Sequence, residues 1–236
     1  MTSPCNIAAV LPRMAAERGE QVAMRCPGAR GRDGLPRYDV SLTYAQLDAR
    51  SDAIAAGLAR VGIVRGVRTV LMVPPSLDFF ALTFALFKVG AVPVLIDPGM
   101  GIRNLGQCLA EAEPAAFIGV PKAQLARRLL GWGRKTIRTT VTVGFPQLGS
   151  RYTLDRVRAA GGSKPVLASS TVDETAAILF TSGSTGVAKG AVYTHGVFNA
   201  QVEILRKLYG IEPGEIDLAT FPLFALFAPA LGMTAI

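Results

Sequence analysis

The sequence is poor in the residues that hold metal ions and disulfides. It has three cysteines and a single histidine among its 236 residues. Cys5, Cys26 and Cys108 are odd in number and far apart, and no C-x-x-C pair occurs. A zinc site, any other metal site of the protein's own side chains and a disulfide framework are therefore not expected. Such cysteine usage suits a reducing compartment, and a cytoplasmic location is predicted.

Charged residues are also scarce, at 18% of the chain, but they are biased towards Lys and Arg, with a formal net charge of +8. That balance permits an acidic partner such as a nucleotide, a nucleic acid or an anionic membrane. The densest basic stretches, residues 127–128 and 134–138, carry no interleaved aromatic residues of the kind that stack on bases. A solvated face is the favoured interpretation, and no nucleic-acid partner is predicted.

Long uninterrupted apolar runs are missing as well. Residues 79–96 are mostly apolar but contain a lysine, a glycine and a proline, which split them into a helix and a strand. Residues 221–236 carry no charge but are fewer than the ~20 that a membrane span needs, and they include two prolines. Both runs are predicted to be core or pocket wall, and neither is predicted to cross a membrane. Residues 1–10 show no signal-peptide pattern.

The apolar residues that are present alternate between two periodicities. From Arg68 to Val143, short strand-like runs are separated by helical patterns, at the spacing of βαβ units. The predicted fold class is therefore α/β, with a mostly parallel sheet covered by helices. Residues 144–172 have little apolar periodicity, and we expect them to form a surface connection.

The most informative stretch follows the apolar residues 176–180, which are predicted to be a buried strand. The chain then turns into a run of small residues that can present backbone N–H groups and hydroxyls to one point, with a lysine close behind. Polyphosphates are bound by such converging donors and a positive charge. The predicted phosphate-binding residues are Thr181, Ser182, Gly183, Ser184, Thr185, Gly186 and Lys189.

Three other interpretations of this loop are less favoured. A flexible Gly/Ser linker would not be flanked closely by apolar strands. A Walker A loop requires Gly before its lysine and Ser or Thr after it, whereas Lys189 lies between Ala188 and Gly190. The dinucleotide fingerprint G-x-G-x-x-G is absent from the loop.

Residues 181–190 resemble the phosphate loop of the adenylate-forming enzymes, which include acyl-CoA synthetases, peptide-synthetase adenylation domains and luciferases. The family pattern is Thr/Ser-Ser-Gly-Ser/Thr-Thr-Gly-x-Pro-Lys-Gly, and only Ala188 departs from it. Residues 42–47 and 84–98 resemble two earlier signatures of the same family. The resemblance implies ATP and Mg²⁺ as cofactors, and an acyl-adenylate formed on a carboxylic acid.

The resemblance also locates the acyl pocket. Its wall is predicted at Phe221, Phe224 and Ala225, in an aliphatic and aromatic stretch without a polar group to recognise an amino acid's ammonium. Apolar walls suit a long alkyl chain. Many acyl-CoA synthetases have His at the position of Ala225, and its absence weakens a thioester-forming activity. The alternative interpretation of this stretch is a plain core helix.

Residues 5–14 and 209–233 resemble one subgroup, whose members make β-lactones for bacterial long-chain olefin biosynthesis. The resemblance implies that a long-chain carboxylic acid, specifically a 3-hydroxy fatty acid, is adenylated and closed to a β-lactone. A complex with other enzymes of the pathway is a further expectation. Two alternatives stay open: a long-chain fatty acyl-CoA ligase, and a nucleotide-binding fragment without catalysis.

Some parts of the family pattern are not found in this sequence. The later motifs and the C-terminal lid domain with its catalytic lysine are missing, so no catalytic residue is assigned. Residues 1–236 are predicted to be an N-terminal portion, with a first subdomain at 1–172 and the phosphate loop and the start of the next at 173–236. The isolated chain is expected not to turn over. Asp97 is interpreted as a turn residue, and His195 as a structural residue.

Overall fold

The computed structural model describes residues 5–181, 189–218 and 226–236. The larger of its two sheets has seven strands in the spatial order β7-β6-β5-β3-β4-β8-β9. Every neighbouring pair is parallel except β8 and β9, which are antiparallel. The mostly parallel α/β sheet predicted from the sequence is confirmed. Its strands are β3 (Arg68–Met72), β4 (Val92–Ile96), β5 (Ala116–Gly119), β6 (Thr139–Thr142), β7 (Tyr152–Thr153), β8 (Thr175–Thr181) and β9 (Lys189–Thr194).

A smaller sheet joins the two ends of the described chain. Its order is β10-β11-β1-β2, with β1 parallel to β11 and antiparallel to β2. Pairing across so many residues has no signature in local periodicity, and the sequence did not predict this sheet. Its strands are β1 (Val22–Cys26), β2 (Val40–Thr43), β10 (Ile216–Asp217) and β11 (Thr234–Ala235).

Several of the helices begin at side-chain caps. Thr43 and Gln46 form a reciprocal capping box, and Ser76 accepts a hydrogen bond from the Phe79 N–H, as their spacing predicts. Thr194 caps a third helix through the Val197 N–H. The helices are α1 (Val10–Arg18), α2 (Tyr44–Arg60), α3 (Leu77–Val89), α4 (Ile102–Ala112), α5 (Pro121–Leu129), α6 (Leu154–Gly161), α7 (His195–Tyr209) and α8 (Phe227–Leu231).

Helix α3 forms the centre of the core. All of its residues from Phe79 to Val89 are buried, so its apolar character extends around the whole helix. Gly90 ends it in the left-handed region, at φ 74°, and β4 follows. The apolar run at residues 79–96 is therefore a core helix and a strand, as predicted. No helix in the described ranges is long and apolar enough to cross a membrane.

The expectation of a surface connection at residues 144–172 is wrong for residues 152–161. This segment contains β7 and α6, and α6 packs against α2 with Leu154 and Val157 buried. The contact depends on two glycines: a Cβ on Gly57 would lie 1.9 Å from the Val157 carbonyl oxygen, and one on Gly161 would lie 1.8 Å from that of Ala53. Close backbone approach leaves few apolar side chains on α6, which is why periodicity did not reveal it.

One lysine is buried among the helices. Lys88 on α3 is 1% exposed, and its Nζ lies 2.6 Å from Asp48 Oδ1 and 2.7 Å from Asp52 Oδ1 on α2. It also donates to the Asp48 carbonyl at 3.0 Å, while Asp52 accepts the Val166 N–H. All three ammonium protons thus have acceptors, which is what a buried charge requires.

The strand that leads into the predicted phosphate loop is continuous with this scaffold. β8 pairs with β4, with Ile96 opposite Phe180, so residues 173–194 complete the sheet built by the preceding residues. The division into subdomains 1–172 and 173–236, and the absence of a lid domain, stay predictions.

Candidate nucleotide and acyl-chain site

The predicted phosphate loop connects two paired strands. β8 and β9 are antiparallel, and Thr181 at the end of β8 is opposite Lys189 at the start of β9. Cα atoms of such paired residues are about 5 Å apart, so β8 ends and β9 begins at one place on the sheet. That place is the carboxyl end of β8, the edge of a parallel sheet where ligands bind. The strand–loop–strand arrangement also differs from the strand–loop–helix of a Walker A motif.

Most of the predicted phosphate-binding residues, Ser182, Gly183, Ser184, Thr185 and Gly186, lie outside the described residues, as does the side chain of Thr181. Lys189 is described and exposed. Within the described ranges its ammonium forms no ion pair with a carboxylate. A cation left without a protein anion at the mouth of this loop can bind an external one such as a phosphate.

Gly190 has a packing reason to be glycine. It is paired with Phe180 across the two strands, and a Cβ at this position would lie 2.9 Å from the tip of the Phe180 ring. Phe180 is 3% exposed and belongs to the core beneath the sheet, so the ring has little room to move. Any larger residue at 190 would displace either the ring or the strand that carries Lys189.

Asp97 lies beside the base of the loop. It directly follows Ile96, whose partner on β8 is Phe180, so Asp97 and Thr181 end neighbouring strands. Its Oδ1 accepts the Gly99 N–H at 2.8 Å, and its carbonyl accepts the Met100 N–H. The interpretation of Asp97 as a turn residue is confirmed.

His195 connects the far end of β9 to the N-terminal segment. It is 2% exposed, and its Nδ1 accepts the Ile7 N–H at 3.2 Å. Burial lowers the pKa of His195, against an opposing effect of the Glu174 carboxylate. Glu174 itself is held by Arg65 at 2.6 and 2.7 Å, which lowers the pKa of Glu174. The structural role predicted for His195 is confirmed as a core hydrogen bond.

Phe198 joins the loop strand to the end of the chain. Its ring stacks on Tyr193 of β9 at a centroid distance of 5.2 Å and lies 5.9 Å from the rings of Phe87 and Phe227. Aromatic packing of this kind is worth about 0.5–1.5 kcal/mol per pair beyond area burial. The strand carrying Lys189 and the helix α8 are therefore held in one aromatic cluster.

Beside this cluster lies a cavity of about 490 Å³ between α7, β10 and α8. Its volume falls within the range of small-molecule sites, about 300–1,000 Å³. Phe221, Phe224 and Ala225, the predicted pocket wall, lie outside the described residues, but α8 begins directly after them. The cavity is lined mainly by apolar side chains, among them Leu205, Ile211, Phe227, Leu231 and Met233.

Two polar side chains reach the same cavity. Gln201 Oε1 is buried and has no hydrogen-bond partner among the described atoms. Burial raises the pKa of Asp217 above its usual range. Sequence reasoning missed both residues, and also Leu205. The signal that could have found Gln201 and Leu205 is their i, i+4 spacing on α7, on the helix that carries Phe198.

Tyr44 fixes the position of α8. Its ring is fully buried, and its hydroxyl donates to the Met233 carbonyl at 2.7 Å. Burial raises the pKa of this phenol, so the Tyr44 hydroxyl keeps the proton that it donates. Gln21 adds a second link by donating to the Gly232 carbonyl at 2.9 Å. The signature at residues 42–47 thus places the wall of the cavity in addition to capping α2.

Comparison with known proteins identifies the family. The model of the AMP-binding enzyme family matches residues 11–235. The chain belongs to the AMP-binding enzymes. An olefin beta-lactone synthetase of Xanthomonas campestris is 60% identical to it over the whole chain, and one of Stenotrophomonas maltophilia is 58% identical. The chain spans 42% and 43% of the lengths of these two AMP-binding proteins.

A solved structure shows the same fold. The anthranilate CoA ligase AuaEII, crystallised with anthranoyl-AMP, superposes with a TM-score of 0.85 at 16% sequence identity. The superposition covers 98% of this chain and 44% of the other. Use of ATP follows from the family. In the described part of this AMP-binding chain, no three His, Cys, Asp or Glu side chains are grouped as a metal site.

Proposed function

We propose that this chain supplies the phosphate loop and part of the acyl pocket of an ATP-dependent β-lactone synthetase. The carboxylic acid is a long-chain 3-hydroxy fatty acid, and the product enters olefin biosynthesis. The observation that carries the proposal is the 60% identity to an olefin beta-lactone synthetase over the whole chain. The apolar cavity beside the phosphate-loop strand agrees with a long alkyl substrate.

The nucleotide's β- and γ-phosphates would bind at residues 181–189. The geometry that supports this is the position of Lys189, which is exposed opposite the end of β8 and forms no ion pair within the described ranges. Backbone N–H groups and hydroxyls of Ser182 to Gly186 complete the proposed set. Mg²⁺, when bound with the nucleotide, would spread the charge on the phosphates. Its ligands would come chiefly from the phosphates themselves.

The alkyl chain would occupy the cavity between α7 and α8. Leu205, Phe227 and Leu231 offer it apolar contacts, and the Phe198 cluster fixes their distance from the strand that carries Lys189. Phe221, Phe224 and Ala225, predicted from the sequence as pocket wall, are proposed to contact the same alkyl chain. Every CH₂ transferred from water to such a wall contributes about 0.8 kcal/mol to binding.

The proposed reaction has two steps. The substrate carboxylate oxygen attacks the α-phosphorus, and pyrophosphate leaves. The substrate's own 3-hydroxyl oxygen then attacks the acyl carbon, the bond from that carbon to the AMP oxygen breaks, and the hydroxyl proton is released. Because nucleophile and carbonyl belong to one molecule, ring closure needs no second substrate and gains from proximity.

A chimaera tests the proposal. Residues 1–236 replace the matching part of the Xanthomonas campestris synthetase, and pyrophosphate and lactone are measured with a 3-hydroxy fatty acid, ATP and no CoA. The proposal expects both products, and a Leu231→Asp variant that charges the cavity should reduce both. A chimaera that forms thioester with CoA and no lactone would favour the acyl-CoA ligase. ATP binding without pyrophosphate release would favour the non-catalytic fragment.

A further inference from the structure

One stretch of the chain carries cations without any interspersed carboxylate. From Pro114 to Leu154 the chain has seven Lys and Arg residues and no Asp or Glu. None of these seven cations forms an ion pair within the described ranges. All but Arg127 are exposed. The stretch includes α5, which covers the larger sheet near its β7 edge.

The same stretch of the chain exposes large apolar side chains. Phe145 is 93% exposed and Leu129 is 76% exposed, and Leu125, Leu130 and Leu148 are each more than a third exposed. Single exposed leucines are common on proteins, whereas several beside unpaired cations form a mixed apolar and basic surface.

The two sets of residues come from segments that lie in contact. Arg127 on α5 donates to the Gly149 carbonyl at 3.1 Å, and Gln124 donates to the Val141 carbonyl at 2.8 Å. The carbon chain of Arg128 lies against Gly149. The loop at residues 144–151 is therefore held along α5. We name the outer side of α5 and this loop the α5 surface.

We propose that the α5 surface docks the protein on an anionic phospholipid bilayer. Lys122 and Arg128 would attract the negative headgroups, and Leu129 and Phe145 would insert between them. Basic amphipathic surfaces bind membranes by this combination of charge attraction and shallow apolar burial. Arg127 takes no part, because its guanidinium lies over the Phe117 ring and bonds to Gly149.

A nucleic acid fits this surface less well. Leucine side chains offer nothing to a phosphate backbone, and single-strand binders need successive aromatic platforms. Phe145 is the only Phe or Trp among the exposed residues of the α5 surface. Exposed aliphatic residues instead favour binding to a bilayer interface, where their side chains are buried from water.

Vesicle sedimentation with the purified 236-residue chain tests the proposal. Phosphatidylglycerol vesicles should bind the chain at about 0.1 M salt and release most of it at about 1 M, where the Debye length shrinks to about 3 Å. Phosphatidylcholine vesicles should bind it far less. Equal binding to both lipids would overturn the proposal, as would binding to neither.

Two double variants separate the contributions. Lys122→Gln with Arg128→Gln should weaken binding by about five-fold per charge removed. Leu129→Ser with Phe145→Ser should weaken it about ten-fold or more, because both side chains lose their apolar burial. The matched control is Leu35→Ser with Arg37→Gln, an exposed pair in the loop between β1 and β2.

The control should bind vesicles like the parent. If it lost binding as the α5-surface variants do, the attraction would be general to the charged protein and the proposal would be wrong. Tighter binding to DNA than to vesicles, reduced by the charge variant but not by the serine variant, would also contradict it and assign the surface to nucleic acid.

Discussion

Two lysines of this chain illustrate two uses of the same side chain. Lys88 is buried between α2 and α3, with two aspartates and a carbonyl around its ammonium. Lys189 is exposed at the start of β9, opposite the end of β8, and has no carboxylate partner in the described ranges. The first is fully satisfied within the protein, whereas the second is available to a ligand.

The packing around the two lysines also differs. Near Lys88, α2 and α6 approach closely through Gly57 and Gly161, and the Lys88 ammonium has three acceptors. Beside the aromatic cluster at the other end of β9 from Lys189, an open cavity contains the buried Gln201 Oε1, which has no hydrogen-bond partner among the described atoms. Buried polar groups that are left unsatisfied cost stability, and two occur among the described residues: Gln201 Oε1 in the cavity and Arg50 Nε on α2. Substitutions of the two lysines test the scaffold and the proposed site separately.

The largest effect on stability is expected at Lys88. Lys88→Met removes one partner of a buried ion cluster and leaves Asp48 and Asp52 without a counter-charge, which should cost about 3–5 kcal/mol in the free energy of unfolding. Urea unfolding followed by circular dichroism measures this value. Lys189→Met is the matched control and should change the unfolding free energy by less than about 0.5 kcal/mol. Similar losses in the two variants would contradict the comparison.

For enzymatic activity, the substitution of Lys189 is expected to have the large effect. In the chimaera described above, Lys189→Met should lower kcat/KM for pyrophosphate release by on the order of 10²–10³, since a charge that stabilises the transition state is removed. Lys189→Arg keeps the charge and should retain part of the rate. A Lys189→Met chimaera with the parent's rate would show that the loop binds phosphate without this lysine.

A smaller effect on stability is expected at the glycine contact between α2 and α6. Gly57→Ala places a methyl group against the Val157 carbonyl and should destabilise the protein by about 1–3 kcal/mol through overpacking. Gly106→Ala on α4 is the control, because its methyl group would meet only the Trp132 side chain, at 3.3 Å. Its change in the urea midpoint should be small. Equal midpoints for the two variants would place α6 away from α2.

The smallest effect concerns His195 and pH. Burial lowers the pKa of His195, and its Nδ1 accepts the Ile7 N–H, so the folded state holds the neutral ring. In the unfolded chain the ring takes up a proton near pH 6.5. Stability should therefore be complete above that pH and fall as the pH is lowered below it. Glu174 and Arg65 are the charged neighbours that modulate the effect.

Unfolding free energies measured from about pH 7.5 down to pH 5 test this dependence. The His195→Gln variant should lose about 1 kcal/mol at neutral pH, the cost of a buried hydrogen bond, and its stability should fall less steeply with acid. Parallel pH profiles for parent and variant would show that His195 does not contribute to acid sensitivity.

The sequence predicted those parts of the fold that depend on local patterns. The capping box at Thr43, the burial of α3 and the strand ahead of the phosphate loop all follow from spacing along the chain. The contact of α6 with α2 and the smaller sheet depend on residues far apart in sequence, and glycine packing leaves no apolar pattern. The same holds for the candidate site. The phosphate loop has a sequence motif that predicts it, whereas Gln201 and Leu205 were found only because packing brings them to the cavity.

The most direct test of the proposed function is pyrophosphate release by the chimaera, with Mg-ATP, a long-chain 3-hydroxy acid and no CoA. The account predicts release together with a β-lactone, and loss of both in Lys189→Met. Release that requires CoA, or that leaves the 3-hydroxy acid as its adenylate without any lactone, would contradict lactone formation and favour an acyl-CoA ligase.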